Sequence, residues 1–121
     1  MPNNRPDPQR TGELCATLAR AFPEARPGPL AVAVLAAQRA ARTAKRRAEF
    51  ACSFDEGEAL ATKRDKREMR ACVTISEALA RAGVPGVIVS LGGDPRGPCG
   101  YLQVPGLPGD GWAQDRGFPL Y

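Results

Sequence analysis

The sequence predicts an α+β domain: an antiparallel helical hairpin, with a short helix ahead of it, packed on a small antiparallel β-hairpin or three-stranded sheet. Three observations carry that expectation. Leu30, Val34, Ala37, Ala41, Ala44, Ala48 and Ala51 recur at alternating steps of four and three, the repeat of a helix seam. Met69, Cys72, Ile75, Leu79 and Ala82 place a second apolar stripe on one helical face. After Gly86 the period falls to two, with Val87, Val89 and Leu91 alternating with Ile88 and Ser90, which is a strand pattern.

In chain order, residues 1–10 are polar and proline-rich and are expected to form a disordered tail ahead of one domain over 11–121. Thr11 caps a short helix over 11–22, in which Leu14, Leu18 and Phe22 share a face. Pro23 closes it, and the stretch to Pro29 reads as a linker. Pro29 suits a first helical turn, where its missing N–H costs nothing, and no breaker follows until about Cys52. This helix, 29–52, carries Arg39, Arg42, Arg46 and Arg47 opposite its alanine seam. Ser53 or Asp55 can cap the next helix, 55–82, which stops at Gly83 with Pro85 just beyond. The short connection makes the two long helices antiparallel neighbours. Residues 69–82 then cover 28–44, which leaves Ala44 to Ala51 facing Lys63 to Arg67 or a second copy of the chain. A homodimer through the hairpin tip is one assembly this implies.

The β unit is expected over 86–121. Val87–Leu91 and Cys99–Val104 read as strands, 105–117 as a loop, and Phe118-Pro119-Leu120-Tyr121 as a short edge strand, since Pro119 has no N–H to donate and is restricted to an edge. Such a unit is marginal alone and must pack on the helices.

With 121 residues, 43% hydrophobic and 25% charged, the chain is long enough for one core without staples. No run approaches the ~20 apolar residues of a membrane span, so no membrane partner is expected. The first residues lack the apolar core of a secretory signal, and a cytoplasmic location is the default expectation. Cys15, Cys52, Cys72 and Cys99 form no closely spaced pair, and there is no histidine, so neither a zinc site nor any other metal or cofactor is expected. A Cys52–Cys72 bridge is excluded by the hairpin, which sets the two about 18 Å apart at 1.5 Å per residue. Scattered cytosolic cysteines are usually reduced and partly buried.

The net charge is +4, and its position matters more than its size. Arg39, Arg42, Lys45, Arg46, Arg47, Lys63, Arg64, Lys66, Arg67 and Arg70 face only six acids between residues 39 and 70, so this segment holds the whole excess. Such a face can neutralise phosphates of DNA or RNA, cover an acidic protein surface, or simply be solvated and laced by Glu–Lys pairs. Without histidine the commonest general base is missing, and no paired carboxylates or phosphate-binding loop can be assembled, so catalysis is not expected. Tyr101, Trp112, Phe118 and Tyr121 cluster in the β unit, where they can close a small core or stack on bases.

The sharpest local signal is Asp94-Pro95-Arg96-Gly97. Asp at the first, Pro at the second and Gly at the fourth position are the residues a type I turn favours. That accounts for Asp94, Pro95 and Gly97 and leaves Arg96 over, as a contact residue at a rigid tip or a clasp onto Asp94, Asp110 or Asp115.

The order of basic helical hairpin, "GGDPRG", a short strand with "YL" and a closing "RGFPLY" resembles the small "GDPRG" proteins of bacteriophages and prophages of Gram-negative bacteria. The resemblance covers about residues 30–121. It departs at Pro98-Cys99-Gly100, where that family more often has apolar strand residues, and at Pro119. It implies a biological setting: a phage or prophage accessory protein in the cytoplasm of the bacterial host. There it would bind, stoichiometrically, a host or phage protein or a protein–nucleic-acid complex. Inhibition of a host defence system, CRISPR–Cas included, is an activity that setting suggests. The alternative is a small basic nucleic-acid-binding protein.

Overall fold

The structure is a computed structural model that describes residues 7–53, 58–91, 100–109 and 116–121, with the side chains of 48–53, 58–62 and 64 left outside that description. Three helices, α1 (Pro8–Ala21), α2 (Pro27–Ser53) and α3 (Glu58–Arg81), precede three strands, β1 (Ile88–Ser90), β2 (Tyr101–Gln103) and β3 (Phe118–Pro119). The strands form one antiparallel sheet in the order β1-β2-β3. This is the α+β class the sequence predicts, with the hairpin and the small sheet in place.

Helix α1 begins earlier than its apolar pattern suggests. Asp7, not Thr11, is the N-cap: its side chain accepts from the Gln9 N–H at 3.1 Å, and Pro8 takes the first helical position, where no N–H is needed. Leu14 and Leu18 are buried, and the chain leaves the helix at Phe22, whose N–H still donates to Leu18 O.

The start of α2 and the end of α3 are joined directly, which fixes the hairpin as antiparallel. The Arg26 N–H donates to Ala82 O at 2.8 Å, and the Arg26 guanidinium donates to Arg81 O. Helix α3 ends in a Schellman motif: the Val84 N–H returns to Leu79 O and the Gly83 N–H to Ala80 O, with Leu79 and Val84 both fully buried. Gly83 is needed twice over. Its φ is +103°, and a Cβ there would meet Ala25 Cα at 2.8 Å.

The seam of α2 is buried as expected at Leu30, Val34, Ala37, Ala41 and Ala44, and α3 answers with Ile75, Leu79 and Ala82. Met69 is a correction. It is 68% exposed and does not share the core face. Two successive three-residue steps, 69 to 72 to 75, each fall about 60° short of a full turn, so Met69 lies about 120° round the helix from Ile75. Cys15 and Cys72 are free thiols, half-buried against the core. Burial pushes both up from the usual thiol range, and for Cys72 the beneficial Leu91 backbone contact opposes this while Glu68 adds to it.

In the sheet, Val89, Leu102 and Phe118 stand in register across the three strands and are all buried, so this row is the core face. Ser90, Tyr101 and Pro119 form the row on the other face. Gly100 leads into β2 at φ +92°, and a Cβ there would stand 2.5 Å from Ser90 O and 3.3 Å from Ala41. A side chain at this position would drive β2 away from the Ser90 carbonyl beside it. The turn Asp94-Pro95-Arg96-Gly97 and Trp112 lie outside the described residues.

Helix side chains bind a backbone carbonyl at each outer side of the sheet. On the β1 side, Ser76 donates to Val87 O at 2.7 Å, and Cys72, four residues earlier on α3, meets the Leu91 backbone. On the β3 side, Arg10 Nε donates to Pro119 O at 2.8 Å while its guanidinium pairs with Glu13 at 3.1 Å.

Candidate functional site

Sequence reasoning puts the functional surface on the cations of the hairpin, and the structure sorts them into two kinds. Arg39 and Arg46 are exposed, seven residues apart on one stripe of α2, about 10 Å along the axis. Lys63, Arg67 and Arg70 repeat that spacing on α3 and are exposed, as is Lys66. Arg47 is half-buried, and Arg64 lies outside the described side chains. From Pro27 to Arg47 the sequence of α2 holds no acid; its first is Glu49, three residues after Arg46. Helix α3 differs, with Asp65 exposed and Glu68 half-buried among its cations; both take part in interactions, as do Lys45 and Arg46.

Arg42 is a second correction. It does not belong to the exposed face. Its guanidinium carbon sits 4.5 Å from the ring centroid of Tyr121, a cation–π contact, and its Nε is buried without a hydrogen-bond partner among the described residues. The residue is turned inward because α2 meets the returning end of the chain here. Gln38, one turn before it, is 0% exposed. Its Nε2 donates to Leu120 O at 2.9 Å and its Oε1 accepts from Thr11 Oγ1 at 2.7 Å. Arg10, Gln38 and Arg42 therefore hold residues 119, 120 and 121 in turn. This is a structural clasp for the last strand rather than a site for a ligand.

The aromatic residues follow the core reading where they are described. Tyr101 and Phe118 are buried, and Tyr121 lies against Arg42. Tyr101 and Phe118 offer no open stacking face, and one face of Tyr121 is taken by Arg42. The hydroxyl of Tyr101 is buried with no hydrogen-bond partner among the described residues. No group of three or more His, Cys, Asp or Glu positioned for a metal occurs among the described residues, and no helix there is long and apolar enough to cross a membrane. Arg96, with its turn, is outside the described residues, as are the hairpin-tip side chains of the expected homodimer.

Sequence reasoning missed one surface. Val73 is 53% exposed and Ile88 61%, and with Met69 they make an apolar strip along the outer side of α3 and onto β1. Lys66 and Glu77 stand at its two ends. The available signal is Val73 itself, a β-branched apolar residue on the helical face that also carries Lys66, Arg70 and Glu77.

The chain matches no protein-family model, no curated protein and no solved structure.

Proposed function

We propose that this protein acts by stoichiometric binding, using the exposed cations of its helical hairpin to cover an acidic surface on a protein or protein–nucleic-acid complex. The observation that carries the reading is the stripe of exposed Arg39 and Arg46 on α2, beside the parallel stripe of exposed Lys63 and Arg67 on α3. Exposed cations cost stability through mutual repulsion and contribute nothing to the core, so their concentration on one element favours a role outside the fold. The resemblance to small "GDPRG" phage proteins supplies the setting: an accessory protein of a phage or prophage that modifies host machinery, with a defence system such as CRISPR–Cas as its target class. A net charge of +4 does not suit mimicry of DNA and suits occlusion of an acidic path.

The test is affinity capture from a Gram-negative host lysate with the wild-type chain and with R39E/R46E/K63E/R67E. These positions are exposed, so the variant keeps the fold. One acidic partner held at a fixed ratio by the wild type and lost by the variant supports the reading. Equal capture by both chains, or none by either, refutes it. A mobility shift of nucleic acid alone, abolished by the same variant and by salt, would move the assignment to direct nucleic-acid binding.

A further inference from the structure

The outer strip of α3 has a symmetry that a foreign partner does not require. Lys66, Arg70, Val73 and Glu77 lie on successive turns, with Met69 and Thr74 beside them, all lining one shallow surface recess. The basic end and the acidic end are eleven residues apart, about 16 Å, too far to pair within one chain. Neither Lys66 nor Glu77 has an ion-pair partner among the described residues. Between them stand Met69 and Val73, two of the most exposed large apolar side chains described.

We infer that this strip is the interface of a homodimer, in which α3 packs antiparallel on α3 of a second copy about a two-fold axis passing between residues 71 and 72. A two-fold there sets residue n opposite residue 143 − n, by the register alone. Lys66 then meets Glu77 of the second copy, and the reverse pair forms at the other end, as an isologous contact demands. Met69 falls opposite Thr74 and Arg70 opposite Val73, which lays the aliphatic stem of Arg70 over Val73 and lets its guanidinium reach toward the second copy's Glu77. A chain carrying an acid at one end of an apolar stripe and a base at the other is complementary to itself only in the antiparallel sense. Ile88, beside the strip on β1, extends the apolar contact past the helix. The sheet edge takes no part, because Ser76 already occupies the Val87 carbonyl and Cys72 contacts the Leu91 backbone. The interface is small beside a standard one of roughly 800 Å² per partner, so association is expected only at micromolar concentration or above.

The test is mass in solution by sedimentation equilibrium over a concentration series, with the full chain. The wild type is expected to approach twice its 12.8 kDa chain mass as concentration rises. V73R, which sets a second guanidinium against the second copy's Arg70 on both sides of the axis, is expected to stay at the monomer mass. K66E and E77K are each expected to raise the dissociation constant at least tenfold. Their equimolar mixture decides the register: the K66E copy is acidic at both ends and the E77K copy basic at both, so the mixture is expected to form a heterodimer where neither variant self-associates. Circular dichroism confirms that each variant folds, since all three positions are exposed. A monomer at every concentration overturns the inference. So does a dimer unaffected by V73R, or a mixture of K66E and E77K that associates no better than its parts.

Discussion

Gln38→Leu isolates the polar clasp that fixes the C-terminal strand. Leucine matches glutamine closely in volume, so packing in a site that is 0% exposed is kept while both hydrogen bonds are lost. The Thr11 hydroxyl is not orphaned, because Asp7 O stands 3.0 Å away as a second acceptor. The Leu120 carbonyl is: its bond from Gln38 Nε2 at 2.9 Å disappears in a place where the residue itself is fully buried. An unsatisfied buried carbonyl costs about 1–3 kcal/mol, and the middle of that range corresponds to a fall in Tm of about 8 °C for a domain of this size. Urea unfolding with parallel calorimetry measures it. In the Gln38→Leu background, Thr11→Val is expected to add little, because the Thr11–Gln38 bond is already gone. A loss below about 0.5 kcal/mol would refute the clasp, as would full additivity of the two substitutions.

Three further outcomes follow from the same structure. Gly83→Ala is expected to destabilise by more than about 1 kcal/mol, since it forces a side chain into φ +103° and against Ala25 Cα, and thermal melting reads it directly. Arg42→Ala is expected to lower Tm through loss of its packing on Tyr121, whereas Arg39→Ala is expected to leave Tm unchanged and weaken partner capture, which separates the inward arginine from the outward one. Cys15 and Cys72 are expected to alkylate more slowly in the folded chain than in urea at neutral pH, because burial raises both. The sign for stability follows: a raised thiol pKa contributes fully below the unfolded value and is lost as pH rises through the folded one, so stability declines on the alkaline side. Peptide mapping of the alkylation rates, with urea titrations at rising pH, checks both.

Much of this fold is legible in the sequence because short-range physics dictates it. The alanine seam from Ala37 to Ala44 reads as a close helix contact at the level of spacing alone, and Gly83-Val84-Pro85 spells out a helix stop that the backbone then makes. The β alternation from Val87 to Leu91 likewise survives into β1. What the sequence hides depends on where distant segments return. Gln38 and Arg42 sit within an α2 pattern that says nothing of β3, so their inward role appears only once residues 119–121 are beside them. Asp7-Pro8 is a cap obscured by proline-rich neighbours. Met69 shows the limit of stripe counting: its spacing from Cys72 is helical, yet the accumulated rotation carries it off the core and onto the surface.

The cationic surface was legible as a segment but not as a face. Composition locates the excess charge between residues 39 and 70, yet only the structure separates Arg39, Arg46, Lys63 and Arg67, which point outward, from Arg42, which does not. Exposed pairs of this kind add little to folding, so their placement bears on partners more than on stability.

Graded-salt capture tests whether these outward cations form the binding surface. Wild-type chain and R39E/R46E/K63E/R67E are immobilised at equal density, and the bound partner is quantified from low to high ionic strength. The account expects stoichiometric capture by the wild type that falls as salt screens exposed charges, and no capture by the variant at any salt. Capture that is independent of salt and equal for both chains would contradict it.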